Sequence, residues 1–346
     1  MNIEEIPSGD SASPARTWDA TGADLVPAVA AAAEVLKSGG LVAFPTETVY
    51  GLGALGLRPD CVAKVFVAKG RPATNPVILH GPSAEALRPL AACWPEIAEI
   101  LAARFWPGPL TLVVDAAPVV PSIVTAGGST VALRVPAHPV ARALLDAVGE
   151  PLAAPSANRS ESLSPTTAAH VLKSLAGRID GVLDGGPTTA GLESTVVDVT
   201  GPLPRILRPG PLGFAALREV LGQIDLPFAE PPAGEPARSP GQRSRHYAPA
   251  TPLHLVPRDR FADELAQQTS AGRRVGVLVF SSEDGSSAAA NRVLPDDPEE
   301  FGARLYGALH DLDDAALDLI LVIEPPAGEA WRAVRDRLRR AAQPAA

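Results

Sequence analysis

The sequence predicts an α/β protein with one partly antiparallel sheet, followed by a second, smaller α/β region. Short apolar runs typical of strands mix with longer amphipathic segments, without the strict alternation that a parallel sheet requires. Apolar residues make up 46% of the 346 residues, which is ample material for two cores. Between Asp225 and Pro252, repeated proline and glycine residues exclude a helix or a central strand and predict a linker.

Strands are predicted where a short apolar run is bounded by glycine, proline or polar turn residues. In the first region these runs are Leu41–Phe44, Val77–His80, Leu110–Val114, Val131–Val135, Leu152–Ala154, Gly181–Leu183, Ser194–Val199 and Arg205–Leu207. Helices are predicted where apolar residues recur at helical spacing and a capping or breaking residue marks the end. In the first region they are Ala23–Ser38, Cys61–Ala68, two pieces within 83–105 broken by Pro89 and Pro95, Pro139–Val148 and a helix that begins at Ser164–Thr166.

The second region alternates strands and helices in the manner of a small Rossmann-like α/β domain. Its predicted strands are Leu253–Val256, Arg274–Phe280 and Leu319–Ile323, and its helices include Arg260–Thr269 and Pro298–Leu312. The last helix, Trp331–Arg340, carries five arginines alternating with Ala, Val and Leu, which predicts a solvated amphipathic face. The expected domain plan is a flexible tail at 1–21, a first domain at 22–226, a linker at 227–250 and a Rossmann-like domain at 251–346.

Composition argues against several classes of function. The formal net charge of −9 disfavours a protein that coats nucleic acid, and 4% aromatic residues leave little stacking surface for single-stranded RNA. The sequence contains no apolar run of the roughly eighteen residues that a membrane span needs. The polar first residues lack the apolar core of a secretion signal, so we expect a cytoplasmic protein.

Nothing in the sequence indicates a disulfide, a metal or a dinucleotide. Cys61 and Cys93 lie in apolar helical patterns, which predicts two buried thiols. Gly51–Gly56 matches G-x-G-x-x-G, but Pro45 separates it from its strand and no acidic residue follows about twenty residues later. The sequence has no Walker A motif and no H-x-x-H or C-x-x-C pair, so we expect no protein-held metal.

Polar residues gather instead in loops at strand ends. Lys69 and Arg71 follow a helix, where they either complement its dipole or bind an anion. Asn75 and His80 on the same segment favour the anion, because they add directional hydrogen bonds. Arg134 lies inside an apolar strand and needs either a structural carboxylate or a ligand's carboxylate.

Two further loops add small polar side chains, namely Ser156 with Asn158, and Ser194. Each loop alone is equally typical of turn chemistry. Together the loops offer hydroxyl, amide and cationic groups but no nucleophile–base pair. The pattern favours binding of a polyphosphate substrate over covalent catalysis.

A series of longer motifs runs through the chain in a fixed order. In the first domain they are Phe44-Pro-Thr-Glu-Thr-Val-Tyr-Gly-Leu-Gly53, Lys69-Gly-Arg-Pro72, Asn75-Pro76, Trp106-Pro-Gly-Pro-Leu-Thr111, Ala132-Leu-Arg-Val-Pro136, Pro155-Ser-Ala-Asn158, Ser164-Pro-Thr166, Asp184-Gly-Gly-Pro187, Glu193-Ser-Thr-Val196 and Arg208-Pro-Gly210. The linker adds Ser239-Pro-Gly241 and His246-Tyr-Ala-Pro249. From about residue 22 onward, the chain resembles the long form of the threonylcarbamoyl-AMP synthase family, which has a YrdC-like catalytic domain.

The resemblance implies a YrdC-like twisted mixed sheet with helices, joined by the Pro-rich linker to the second domain. It implies an ATP-dependent nucleotidyltransferase that condenses L-threonine, bicarbonate and ATP into threonylcarbamoyl-AMP and pyrophosphate. The product would serve threonylcarbamoyl-adenosine modification of tRNA next to the anticodon. Mg²⁺ is expected mainly on ATP's own phosphates. Expected partners are a downstream threonylcarbamoyl transferase complex and, weakly, tRNA, with no membrane.

The resemblance also implies roles for individual residues. The family's catalytic signature falls on Lys69, Arg71, Ser156 and Asn158. ATP contacts are expected at Arg71, Asn75, Thr130, Ser156, Ser164, Arg208 and Tyr247. Threonine contacts are expected at Thr48, His80, Arg134, the backbone of Ala154, and Ser194. The chain departs from the family pattern at Glu161, Gln242 and Ser244, which affects the expected loop geometry.

Two other functions of the same fold compete with this interpretation. A carbamoyl-transfer enzyme dependent on carbamoyl phosphate would be expected to carry an acylphosphatase-like segment and zinc-finger cysteines, and the sequence has neither. An RNA-binding module is disfavoured by the acidic charge and the few aromatic residues. Finally, Arg243, Arg245, His246 and Tyr247 exceed what a passive spacer needs, so the linker is predicted to act as a lid.

Overall fold

A computed structural model describes residues 15–22, 25–222, 246–285 and 287–343. It contains two sheets, a mixed sheet of ten strands and a parallel sheet of four. The predicted α/β class with a partly antiparallel first sheet is therefore confirmed. The departures at Gln242 and Ser244, and the lid expected from Arg243 and Arg245, lie outside the described residues and stay predictions.

The large sheet combines parallel and antiparallel neighbours in the order β1-β8-β2-β3-β7-β4-β6-β5-β9-β10. Its strands are β1 (Arg16–Asp19), β2 (Val42–Phe44), β3 (Gly51–Leu55), β4 (Ile78–His80), β5 (Leu110–Asp115), β6 (Thr130–Arg134), β7 (Leu152–Ala153), β8 (Gly181–Asp184), β9 (Thr195–Asp198) and β10 (Arg205–Arg208). The accompanying helices are α1 (Leu25–Lys37), α2 (Pro59–Lys69), α3 (Ala84–Leu87), α4 (Glu96–Phe105), α5 (Ser122–Thr125), α6 (Pro139–Val148), α7 (Ala168–Leu175) and α8 (Phe214–Leu221).

The second domain is a parallel sheet flanked by helices. Its elements are β11 (Leu253–Val256), α9 (Phe261–Ser270), β12 (Val275–Val279), β13 (Ala290–Val293), α10 (Pro298–Asp313), β14 (Leu319–Ile323) and α11 (Arg332–Ala341). The strand order is β11-β14-β12-β13. Whether this arrangement is Rossmann-like stays a prediction. Among the described residues, no helix has the length and apolar character needed to cross a bilayer.

Three segments without a clear apolar pattern form strands that the sequence did not predict, namely β1, β3 and β13. Residues 16–19, assigned to a flexible tail, form β1 and pair in parallel with β8. The ring of Trp18 lies over Gly181, where an added Cβ would come within 2.2 Å of it. Gly51 and Gly53 belong to β3, where a Cβ on Gly53 would lie 2.9 Å from the Phe44 ring. In both places glycine permits close packing rather than a turn.

Two smaller predictions are also wrong. The helix expected at Ser164–Thr166 begins at Ala168, because the Thr167 side chain accepts a hydrogen bond from the His170 backbone N–H and caps the helix there. Cys61 is buried as predicted, but Cys93 is exposed. Cys93 lies between α3 and α4 rather than inside a helix, so no helical face buries it.

Helices cover one face of the central strands and leave the other face for chemistry. Val62 and Phe66 of α2 and Leu101 of α4 pack on Leu79 and Leu133, among other apolar residues. Because successive side chains of a strand point to opposite faces, the intervening residues face the other way. That second face carries only a small apolar cluster, Ile78, Val113, Ala132 and Val196, with Leu207 packed against it. We call this second face the floor.

Candidate functional site

Strand register gathers the predicted threonine contacts on the floor. His80 is opposite Arg134 in the parallel pair β4–β6, and the two side chains lie on the same face as the floor residues Ile78 and Ala132, two positions away in each strand. Ser194 precedes β9, and its hydroxyl lies 2.7 Å from that of Thr111 on β5. Thr130, a predicted ATP contact, lies at the far end of β6 on the same face and is half-buried. The floor is therefore apolar in the middle and polar at its ends.

Arg134 has a structural carboxylate partner. Its Nη2 donates to Glu47 Oε1 over 2.7 Å and its Nε to the Gly108 carbonyl over 3.3 Å, with the residue only 4% exposed. Burial alone would raise the pKa of Glu47, but Arg134 and the Ala137 N–H outweigh burial and hold that pKa below its ordinary value. The sequence left open whether Arg134 pairs with a carboxylate of the protein or of a ligand. Among the described residues it pairs with a protein carboxylate, that of Glu47. Contact with a ligand carboxylate stays a proposal.

The other threonine contacts lie in tight loops beside Arg134. Thr48 is fully buried, and its hydroxyl lies 2.7 Å from that of Thr46, which donates to the Val49 carbonyl. The Ala154 backbone N–H donates to the Ile78 carbonyl, so that N–H is already used in the fold. The backbone group of Ala154 that could contact a ligand is therefore its carbonyl oxygen.

Lys69 and Arg71 turn inward rather than towards solvent. Gly70 adopts φ 61°, a left-handed conformation that suits glycine and ends α2. Lys69, 2% exposed, donates through Nζ to the carbonyls of Ser156 (2.5 Å) and Asn158. Burial, and then the charge of Arg71, lower the pKa of Lys69 well below its ordinary value. The four residues of the predicted catalytic signature are therefore neighbours, and the lysine is not a surface helix-end cation.

Arg71 organises the loop that follows it. Its Nε donates to the Asn75 carbonyl over 3.0 Å and its Nη2 to the Pro76 carbonyl over 2.6 Å. These bonds hold the loop that leads into β4 in a fixed position. Asn75 itself is buried, at 1% exposed.

Several buried polar atoms have no hydrogen-bond partner among the described residues. Five of them are Asn75 Nδ2, His80 Nδ1, Asn158 Oδ1, His246 Nδ1 and the Tyr247 hydroxyl. Buried polar atoms in folded proteins are nearly always satisfied, so a group of them in one region points to a polar ligand or to ordered water. Asn75, His80 and Tyr247 are predicted substrate contacts, and Asn158 belongs to the predicted catalytic signature. The fifth residue, His246, precedes Tyr247.

Four cations act on the buried ring of His246. Its pKa lies well below the ordinary value, first because the ring is buried and then because of Arg71, Lys69, Arg208 and Arg340. Cations that converge on one buried spot repel each other unless an anion joins them. The arrangement therefore suits a polyphosphate.

Arg340 was missed in the sequence because it lies on α11, which was predicted to face solvent. The same error hid Arg337, which is 1% exposed and donates through Nε to Glu193 Oε2 over 2.6 Å. Glu193 also accepts hydrogen bonds from the hydroxyls of Ser164 and Tyr306. The only sequence signal that Arg337 is buried is the apolar residues next to it in the helix. No sequence pattern indicates that its ion-pair partner is Glu193 of the other domain.

Arg208 and Ser194 are joined directly. The arginine donates through Nε to the Ser194 carbonyl over 3.0 Å and through Nη2 to its hydroxyl over 3.1 Å. A predicted ATP contact thus supports a predicted threonine contact. Because Ser194 is held by both Arg208 and Thr111, its hydroxyl is fixed in direction.

A separate cavity of about 680 Å³ lies between the two domains. The 209–215 segment, α10 and α11 line it, with Thr195 and Arg340 among its residues. Its described lining includes neither Lys69 nor Ser156, and the five polar atoms named above belong to residues outside that lining. We therefore assign the chemistry to the floor and its cationic end.

The buried histidines predict a dependence of stability on pH. Burial, and then the charge of Arg134, lower the pKa of His80 to about 3. Because an unfolded histidine titrates near 6.5, the unfolded chain binds more protons than the folded chain between those values. The free energy of unfolding is therefore expected to fall as the pH is lowered through this window, with a slope of up to ~1.4 kcal/mol per pH unit for His80 alone.

Urea denaturation between about pH 7 and pH 4 measures this slope. The His80→Gln variant is expected to have a smaller slope than the wild type, whatever its absolute stability. His254, which is exposed, provides the matched control, and His254→Gln should leave the slope unchanged. Equal slopes in His80→Gln and wild type would contradict a buried, neutral imidazole at position 80.

Comparison with known proteins identifies the family of this chain. Residues 34–210 match a family model of Sua5, YciO and YrdC proteins described as "Telomere recombination". Residues 213–343 match one described as "Threonylcarbamoyl-AMP synthase, C-terminal domain". The Threonylcarbamoyl-AMP synthase of Pyrococcus abyssi is 44% identical over 317 residues, which is 90% of this chain and 92% of the relative. That of Bacillus subtilis is 41% identical over 91% of this chain and 93% of its own length.

Solved structures extend the similarity to three dimensions. Sua5 of P. abyssi complexed with L-threonine aligns with a TM-score of 0.89 and 40% identity, over 94% of this chain and 97% of that one. A doubly substituted variant of the same protein aligns with a TM-score of 0.90 over 95% and 96%. Both the resemblance and the YrdC-like mixed sheet are thereby confirmed. The chain belongs to the threonylcarbamoyl-AMP synthase family, in the form that carries a C-terminal domain.

Proposed function

We propose that the chain condenses L-threonine, bicarbonate and ATP into threonylcarbamoyl-AMP, with release of pyrophosphate and water. The observation that carries this proposal is that three buried cations, Lys69, Arg71 and Arg208, and the partly buried Arg340 converge beside a floor with polar ends. A nucleoside triphosphate supplies the anion that the cations need. An amino acid of threonine's size supplies polar groups for the floor. Family membership supports the same pairing of substrates.

Threonine is proposed to lie on the floor between β4, β6 and β9. Its carboxylate would face the Arg134 guanidinium, which Glu47 already holds in place. Its amine and hydroxyl would face the polar groups of Thr48, His80, Ala154 and Ser194. His80 is neutral at pH 7, so its ring can both donate and accept a hydrogen bond. A site built to bond the hydroxyl discriminates against amino acids that lack it.

ATP is proposed to occupy the cationic end of the site. Its phosphates would meet Lys69, Arg71 and Arg208, with Asn75, Thr130, Ser156, Asn158, Ser164 and Tyr247 around the nucleotide. Since the charged side chains nearest His246 are cations, the residues do not fit a protein-held Mg²⁺. We therefore place Mg²⁺ on ATP's own phosphates.

The reaction needs no covalent enzyme intermediate. Threonine's amine combines with bicarbonate-derived CO₂ to give a carbamate. A carbamate oxygen then attacks the α-phosphorus in line, and the bond to pyrophosphate breaks. The enzyme positions two anions and offsets the charge that gathers between them, for which Lys69 and Arg71 are suited. The mixed anhydride product hydrolyses readily, so burial of the site protects it.

Pyrophosphate release tests the proposed activity. It should require both bicarbonate and L-threonine, and L-valine, which lacks the hydroxyl, should support it far less well. Pyrophosphate release that is independent of the amino acid would contradict the proposal. We further propose that the product acts in the cytoplasm, where a transferase complex passes it to tRNA and tRNA itself contacts the chain only weakly.

The Tyr247 hydroxyl gives a prediction specific to ATP. The ring is packed between His246, at 4.0 Å between centroids, and the Arg337 guanidinium, at 5.0 Å, while the hydroxyl lacks a partner among the described residues. Tyr247→Phe keeps the packing, so it should melt like the wild type. Loss of one neutral hydrogen bond should weaken ATP binding by about 0.5–1.5 kcal/mol.

Calorimetric titration with ATP measures this effect. Tyr50→Phe is the matched control, because its buried hydroxyl donates to the Gly186 carbonyl in the fold and to no proposed substrate group. The control should lose stability and keep its ATP affinity. Unchanged ATP affinity in Tyr247→Phe would remove the hydroxyl from the site.

A further inference from the structure

One buried carboxylate joins the two domains behind the proposed site. Glu193, 5% exposed, accepts hydrogen bonds from Ser164 Oγ and, over 3.2 Å, from the Tyr306 hydroxyl. Its Oε2 accepts a bond from Arg337 Nε over 2.6 Å. Ser164 belongs to the catalytic domain, whereas Tyr306 and Arg337 lie on α10 and α11. The carboxylate is therefore fixed from both sides of the domain boundary.

The Arg337 guanidinium makes contacts on several sides. Besides the bond to the Glu193 side chain, its Nη2 donates to the Glu193 carbonyl over 3.4 Å and its Nη1 to Asp336 over 2.7 Å. It also lies over the Tyr247 ring at 5.0 Å. Such a fork cannot be replaced by a lysine, which carries a single charged nitrogen.

These contacts end on residues that are proposed to bind substrate. Ser194, a proposed threonine contact, directly follows Glu193 in the chain. Ser164 and Tyr247 are proposed ATP contacts. The Arg337 guanidinium therefore contacts a proposed ATP-binding residue, Tyr247. It also bonds Glu193, the chain neighbour of the proposed threonine contact Ser194.

The charge balance favours orientation over stability as the role of this pair. Burial alone would raise the pKa of Glu193, but Arg337 and then Arg208 outweigh burial and keep the carboxylate ionised. Desolvation makes a buried ion pair no more stabilising than a well-packed neutral pair of similar size. Directional contacts, on the other hand, hold neighbouring groups within narrow limits.

We propose that Arg337 is a positioning residue of the adenylate-forming site. Through Glu193 it orients Ser164 and Ser194, and by contact it orients the ring of Tyr247, so that both substrates bind to preset groups. This inference rests on the proposed function. It gives the C-terminal domain a role in catalysis even though Arg337 itself does not contact the substrates.

Neutral variants of similar shape separate orientation from stability. The double variant Arg337→Met with Glu193→Gln neutralises both partners together, so neither is left as an unpaired buried ion, and it should melt close to the wild type. Its calorimetric dissociation constants for L-threonine and for ATP should each rise roughly 5- to 150-fold, the range typical of coupled sites. The affinities of Arg337→Lys for L-threonine and for ATP should both lie between those of the wild type and those of Arg337→Met.

The exposed interdomain pair Arg218–Glu329 provides the matched control. Arg218→Ala breaks a contact between the same domains away from Glu193, and should leave both affinities and the turnover unchanged. Wild-type affinities in the double variant would overturn the inference, and so would a melting temperature far below wild type. Calorimetry does not depend on turnover, and the wild type is assayed in parallel for threonine-dependent pyrophosphate release. Failure of the proposed function would therefore appear in the wild type itself.

Discussion

Lys69→Ala is expected to lose most adenylate synthesis, by about 10²- to 10³-fold in kcat. The ammonium group is proposed to offset charge that develops as the carbamate meets the α-phosphate, and a preorganised charge acts mainly in the transition state. Lys69 lies at the end of α2 with its Nζ bonded to the Ser156 and Asn158 carbonyls. Loss of these bonds should also reduce stability by about 1–3 kcal/mol.

Single-turnover rates at saturating substrates measure the effect on chemistry, and thermal denaturation measures the effect on the fold. Lys69→Met, which keeps the aliphatic stem, should lose activity to the same extent with a smaller loss of stability. Lys64 on the same helix donates to the Gly39 carbonyl, and Lys64→Ala is the matched control. If Lys69→Met retained near-normal turnover, the lysine would be a structural donor to two carbonyls and nothing more.

Arg134→Ala is expected to weaken threonine binding by about 2–5 kcal/mol while ATP binding changes little. The arginine is proposed to bind the threonine carboxylate through its guanidinium at the buried end of β6. It also pairs with Glu47, so the same substitution leaves a carboxylate unpaired and should cost about 3–5 kcal/mol of stability. The single variant therefore cannot separate the two roles.

A double variant resolves this ambiguity. Arg134→Met combined with Glu47→Gln removes both charges, so its melting temperature should recover towards wild type. Threonine affinity should stay low if Arg134 binds the substrate carboxylate. Calorimetric titration that found threonine affinity restored along with stability would show that the arginine serves only the Glu47 pair.

The sequence predicted the central strands well because their signals are local. Runs such as Leu110–Val114 and Val131–Val135 are apolar, short and bounded by turn residues, and they appear as β5 and β6. The strand that contains Gly51 and Gly53 was not predicted, for the opposite reason. Their place in β3 depends on contact with Phe44 and Ala154, which no local pattern reveals.

The candidate site divides in the same way. Lys69, Arg71, Ser156 and Asn158 were found from motifs, and the structure brings them together. Glu47 was missed as the partner of Arg134, because the sequence indicates that an interior arginine needs an anion but not which one. Arg337 and Arg340 were assigned to solvent because an alternating helix pattern does not distinguish water from another domain's surface. The parts of the site that could not be predicted are therefore contacts between segments far apart in the chain.

The most direct measurement of the central claim follows carbon from bicarbonate into product. The full chain is incubated with ATP, Mg²⁺, L-threonine and isotopically labelled bicarbonate, and adenylates are separated and identified by mass. A labelled threonylcarbamoyl-AMP should form in step with pyrophosphate, should be absent without threonine, and should fall about 10²-fold or more in Lys69→Ala. Labelled adenylate that forms without threonine, or pyrophosphate release without label in any adenylate, would contradict the account.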